Sequence, residues 1–249
     1  DDISLLFLGL SSILWLVTTI YAIGYLEGSP HRSRFFCFFS LCVTATMGIS
    51  LAGNLISFLI FYEMLTLVTY PLIVHRGTRK ALRAGRVYLA YTLVGGTLLL
   101  MGTAWVYVLA GPVDFVAGGT LAPYLESHRS TLIAIFVLMI AGLGAKTALV
   151  PFHGWLPTAM IAPAPVSALL HAVAVVKAGA FGIIRVIYNV FGAETAFQLG
   201  MLVPLAYLAS FTILYASIRA IYQVDLKRRL AFSTISQLSY IVLGTSIAG

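Results

Sequence analysis

Charged positions along this chain fall in short clusters, and the stretches between them carry none. Asp, Glu, Lys and Arg are absent from 3–26, 35–62, 87–113, 130–145, 147–176, 195–218 and 230–249. A helix needs roughly 20 apolar residues to cross the hydrocarbon core of a bilayer, and most of these gaps are that long. Strands of a membrane barrel would alternate apolar and polar residues in segments of about 10; no such alternation is present. The pattern predicts an all-α polytopic membrane protein. Eight membrane helices are expected near residues 3–26, 35–52, 54–75, 85–110, 130–150, 165–190, 197–221 and 230–248, forming a single transmembrane domain over 1–249. Gly53-Asn54 marks the pause between the second and third, and Gly111-Pro112 ends the fourth. The loop 111–129 is the longest, broken by Gly118-Gly119 and Pro123.

Composition agrees with that class. The chain is 60% hydrophobic and 9% charged, where a soluble domain carries about 25% charged residues. Its net charge of +7 becomes informative once the charges are placed on loops. With alternating crossings, the basic loops 27–34, 76–86 and 222–229 all fall on one side. The other side holds Asp1, Asp2, Asp114, Glu126, Arg129 and Glu194, with Arg185 near it. The positive-inside rule puts the basic side in the cytoplasm, here of a bacterial inner membrane. The positive charge is thus a topology signal, and with no recognition motif it does not suggest nucleic-acid binding. Cys37 and Cys42 lie five residues apart on one helix, so they face different sides. A disulfide is not expected, and two thiols alone do not hold an iron–sulfur cluster or a structural zinc. The chain opens on Asp1 without a Met and closes in an apolar run, so it is expected to be part of a longer protein. The first apolar stretch lacks the basic region and cleavage site of a signal peptide.

Three ionisable residues remain inside the predicted spans: Glu63, Lys146 and Lys177. A charge at mid-membrane costs at least about 2.5–3.5 kcal/mol, so such residues tend to be retained for use, most naturally to move a proton or small cation. Glu63 lies near the centre of the third helix, with Thr66 and Tyr70 at i+3 and i+7 on its face, a polar stripe that can hold water. The plainer alternative is a neutral Glu hydrogen-bonded to a neighbouring helix. Lys146 follows the small-residue run 141–145, which allows close packing. The Pro151-to-Pro157 stretch then breaks the helix, yet residues 158–162 stay uncharged. A discontinuous helix at membrane depth is expected, with Lys146 beside the break. Non-helical backbone is tolerated there only where protein buries it or it lines a wet cavity. Were the helix simply to end, Lys146 would snorkel to water. Lys177 sits too deep in the sixth helix to snorkel. His171, six residues earlier, falls about 9 Å away along an α-helix and off the stripe of Lys177, so water would join them only if a cavity wraps that side. Ser167 shares the face of His171, and His153 is placed to cap the broken backbone. Desolvation disfavours the charged form of a buried amine and a nearby carboxylate favours it. A lysine whose acidic neighbour moves is therefore a proton valve, and His171, which titrates near neutral pH, is suited to pass the proton on.

Five stretches carry a resemblance. They are Phe61-Tyr62-Glu63, Lys146 through Pro157 (KTALVPFHGWLP), Ala162 through Ala172 (APAPVSALLHA), Val176-Lys177-Ala178-Gly179, and Asp225 through Gln237 (DLKRRLAFSTISQ). Together they resemble the proton-translocating antiporter-like subunits of respiratory complex I, of Mrp-type cation/proton antiporters and of membrane-bound hydrogenases. The resemblance covers nearly the whole chain. It implies a fold of about fourteen helices with two inverted five-helix repeats, of which this chain matches about the third to the tenth. It further implies that Glu63 pairs with Lys146, that Lys177 and His171 continue the path, and that a second half-channel lies outside the chain. The expected partners are other membrane subunits, the bilayer, protons, and Na+ or K+. No catalytic, metal-ligating or cofactor-binding residue is expected, and no cofactor. The Leu-Leu-His-Ala and Val-Lys-Ala-Gly stretches favour the Mrp-type or hydrogenase branches, although naming as an NADH–quinone oxidoreductase subunit is compatible.

Two other classes compete. A quinone-linked redox subunit would use the Tyr, Trp and His residues as a pocket, but the sequence has no cluster-forming cysteines, no dinucleotide fingerprint and no helix-borne bis-His pair. A purely structural membrane subunit accounts for the helices and leaves three mid-membrane charges without a use.

Overall fold

The computed structural model describes residues 1–247, with the side chain of Ala172 excepted. Among the described residues, eight stretches are long and apolar enough to cross a membrane. The first four are continuous helices: α1 (Asp2–Tyr25), α2 (Arg32–Leu51), α3 (Leu55–Ile73) and α4 (Arg79–Ala110). The fifth span is broken into α5 (Arg129–Thr147), a 3-10 turn (Phe152–Gly154) and α6 (Trp155–Ala159). The sixth is irregular. It runs through α7 (Ala164–Ala168), a π-helical turn (Leu169–Val173), α8 (Val175–Arg185) and a second π-helical turn (Val186–Phe191). A short α9 (Ala193–Gln198) leads to α10 (Leu202–Ile221) and α11 (Leu226–Ile247). The expected end of the last helix at residue 248 lies outside the described residues. The other helix boundaries match expectation to within a few residues, save that α4 begins six residues early and α10 five residues late.

The break in the fifth span is local chemistry. Pro151 cannot donate a backbone hydrogen bond and drives Val150 out of the helical region, and the chain already leaves the helix at Ala148 (φ +63°). Several backbone groups freed there find partners, as the membrane interior requires. The Ala148 and Leu149 N–H groups return to the Gly144 carbonyl. The indole N–H of Trp155 donates to the Ala145 carbonyl at 2.8 Å. The Val150 N–H donates to the Thr212 hydroxyl on α10 at 3.3 Å. His153, expected to cap this backbone, instead shares a hydrogen bond with the Tyr215 hydroxyl at 3.2 Å. The longer reach of Trp155 and the hydroxyl of Thr212 supply the caps.

Helices pair α10 with α11, α4 with α5 and α2 with α3, and α5 also packs on α8. The broken fifth and irregular sixth spans are the most enclosed of the eight. The α4–α5 crossing depends on absent side chains. A Cβ on Gly95 would stand 2.6 Å from the Ala145 Cβ and 2.9 Å from the Gly142 carbonyl.

The basic loops meet on one face. Arg34 donates to the His75 carbonyl and Arg76 to the Tyr25 hydroxyl. Burial, followed by the charges of Arg34, His31 and Arg76, holds the His75 imidazole below its ordinary range. On the opposite face Asn54 bridges to Asp114, and Arg129 donates to the Gln198 carbonyl. Arg185, expected only as a loop-side charge, is buried there. It pairs with the Asp1 carboxylate, reaches Ser4 and Asn189, and lies over the rings of Phe115 and Phe181. Cys37 and Cys42 are free thiols.

Gly95→Val would force α4 and α5 apart, an overpacking cost of about 1–3 kcal/mol. Thermal unfolding of the detergent-solubilised protein should show a lowered Tm for Gly95→Val and little change for Gly9→Val, whose Cβ meets open space.

Candidate functional site

The Lys146 side chain is a charged group sealed inside the fold. It projects from the last turn of α5, just before the break, and is 1% exposed. Its Nζ donates to the main-chain carbonyl of Tyr62 on α3 at 2.6 Å and sits 3.3 Å from the centroid of the Tyr62 ring. Snorkelling, the alternative for a lysine near a helix end, does not occur.

Glu63 is the neighbour in sequence of Tyr62, whose carbonyl holds the Lys146 ammonium. The acid and the ammonium do not touch: among the described residues the one ion pair within 4.0 Å is Arg185–Asp1. The Glu63 carboxylate presses instead on Gly96 of α4, where a Cβ would overlap it. Its Oε1 is buried without a hydrogen-bond partner. Gly95 and Gly96 thus act in succession, the first letting α5 approach α4 and the second admitting the carboxylate.

The expected polar stripe is present and faces α4. The Thr66 hydroxyl donates to the Tyr62 carbonyl, the one Lys146 also uses. The Thr66 carbonyl accepts from Tyr88 of α4 at 3.2 Å. Tyr70 packs beside Gly85 of α4. Tyr62 was not singled out by sequence reasoning, because its part is played by a backbone carbonyl and a ring face. The only signal was its place next to Glu63.

His171 and Lys177 border one cleft by a route that α-helical arithmetic misses. The π-turn Leu169–Val173 and the irregular Ala174 (φ −132°, ψ −74°) lie between them, so the spacing and rotation expected of an α-helix do not apply. Both line one cleft of about 540 Å³ against α11, whose wall mixes Ser233, Thr234 and Gln237 with Leu230, Leu238, Tyr240 and Ile241. His171 Nε2 faces the Met160 sulfur, and its Nδ1 is buried without a partner. Ser167 does not join this group; its hydroxyl donates to the Pro163 carbonyl. The site residues therefore form two groups, Glu63–Tyr62–Lys146 under α4 and His171–Lys177 against α11.

Residues 52–249 match the family model described as NADH:quinone oxidoreductase/Mrp antiporter, TM. The chain belongs to this family. Its relatives divide between the two branches of that description. It is 36% identical over 236 residues to NADH-quinone oxidoreductase subunit N of Desulforudis audaxviator, covering 93% of this chain and 46% of that protein. It is 35% identical over 244 residues to Na(+)/H(+) antiporter subunit A1 of Staphylococcus haemolyticus, covering 97% and 30%. A chain of the Mrp complex from Dietzia sp. DQ12-45-1b superposes with a TM-score of 0.84 at 25% identity, over 99% of this chain and 45% of that one. The chain spans less than half the length of these family members.

Burying an ammonium carries a desolvation penalty of several kcal/mol that an apolar side chain of similar length does not carry. Lys146→Met is therefore expected to keep or raise the Tm. Tyr62→Leu leaves the ammonium without its aromatic face and should lower stability by about 1–2 kcal/mol. Thermal unfolding of the two variants in one detergent checks the contrast.

Proposed function

We propose that this chain carries one half-channel of a subunit that moves protons, or exchanges protons for a cation, across the membrane as part of a larger complex. The observation that carries this reading is the Lys146 ammonium, sealed from solvent and held by a carbonyl and a ring, with the Glu63 carboxylate near it but unpaired. Desolvation favours a neutral amine, and an approaching carboxylate favours a charged one. A small movement of Glu63 toward or away from Lys146 then loads or releases a proton. The buried, unpartnered Oε1 of Glu63 supports a carboxylate that is free to change partners. A released proton would pass toward the cleft shared by His171 and Lys177, where Ser233, Thr234 and Gln237 offer water partners among apolar neighbours.

The eight spans correspond in this reading to about the third to the tenth helices of the family fold, and the remaining helices would supply the second half-channel. The partners are other membrane subunits, as the multi-subunit Mrp complex suggests, with protons and Na+ or K+ as the transported ions. The basic loops face the cytoplasm by the positive-inside rule.

The test uses the full-length protein in its assembled complex, in everted vesicles with a pH-sensitive dye. Glu63→Gln and Lys146→Ala are each expected to reduce translocation to background while the complex still assembles on a native gel. Normal translocation by both variants would refute the reading.

A further inference from the structure

A second polar cleft, of about 450 Å³, opens on the basic face, with Met160 between it and His171. Three elements make it: the start of α4, the end of the broken fifth span, and the start of α11. Lys80, Arg83 and Arg228 line it, over an apolar floor that includes Val87, Met160 and Ile161. None of the three cationic side chains has a hydrogen-bond or ion-pair partner among the described residues. Asp225, the acid in the cleft, offsets part of this charge; its Oδ1 accepts the Arg228 backbone N–H at 3.0 Å and caps α11.

Depth matters as much as charge. At 1.5 Å per residue the 32 residues of α4 extend about 48 Å, well beyond a hydrocarbon core of about 30 Å. Trp105 and Tyr107, exposed near its far end, suit the aromatic belt of the opposite interface. Counting back about twenty residues from them leaves Lys80 and Arg83 in the headgroup layer. A phosphate there would meet three unpaired cations, and the chains below it would meet the apolar floor.

We propose that this cleft binds the phosphate headgroup of an anionic phospholipid, which ties the tip of the broken helix to α4 and α11. Basic pockets between membrane helices are suited to such headgroups, and each cation near an anionic surface strengthens binding by roughly fivefold. The site does not depend on the ion path proposed above, and its test reads lipid rather than transport.

The experiment takes the full-length protein reconstituted in nanodiscs of phosphatidylcholine with a small fraction of phosphatidylglycerol. Native mass spectrometry after release into detergent counts the phosphatidylglycerol retained. The triple variant Lys80→Gln, Arg83→Gln, Arg228→Gln should weaken retention by on the order of 100-fold. Thr158→Trp, which fills the cleft and keeps its charge, should also lose the lipid. The double variant Arg32→Gln, Arg34→Gln, on the same face but outside the cleft, should retain it. Wild-type retention by both cleft variants overturns the proposal, as does equal loss in the Arg32/Arg34 variant, which would indicate general surface attraction. Displacement of the lipid by inorganic phosphate would assign the cleft to a small soluble anion and likewise overturn it.

Discussion

One ammonium group, buried where the bilayer offers no solvent, organises this molecule. Lys146 is satisfied by the Tyr62 carbonyl and the Tyr62 ring, and several features of the fold make that contact possible. The small-residue face of α5 and Gly95 of α4 bring the helices close enough for a lysine near the end of α5 to reach α3. The break after Thr147 leaves Lys146 beside backbone that is polar and capped in part by Thr212 and Trp155. Thr66 shares the Tyr62 carbonyl and ties the same point to α4 through Tyr88.

The absence of a direct Glu63–Lys146 ion pair has mechanistic weight. A carboxylate and an ammonium locked together in a low-dielectric interior attract strongly and part with difficulty. Here the ammonium rests on neutral acceptors one residue away from the acid, and the acid rests on a glycine. Under the proposed function, an acid that is not locked to the ammonium is the freer to exchange its proton. The irregular sixth span adds to this. Its π-turn turns His171 and Lys177 toward one cleft although their spacing on an α-helix would part them. Such π-turns occur often at functional sites.

Much of the architecture was legible in the sequence because the membrane writes it there. Charge-free runs gave the spans, and loop charges gave a consistent sidedness. Pro151 and its neighbours gave the break. The parts that were not legible depend on contacts between distant segments or on backbone irregularity. The seat of Lys146 is a carbonyl, which no residue type signals. His153 was assigned to the broken backbone, while Trp155 and Thr212 cap it, a choice decided by reach across α10. His171 and Lys177 were parted by assuming a regular helix. Arg185 was placed near a loop, and its burial rests on Asp1, 184 residues away.

The central claim is that Glu63 and Lys146 share one electrostatic site without being locked together. It is tested most directly by isotope-edited infrared spectroscopy of Glu63 in the full-length complex, with Lys146 intact and with Lys146→Met. Loss of the ammonium is expected to change the division of Glu63 between its carboxylate and carboxylic-acid bands across the pH range. Identical titration of the Glu63 bands in the two proteins would contradict it.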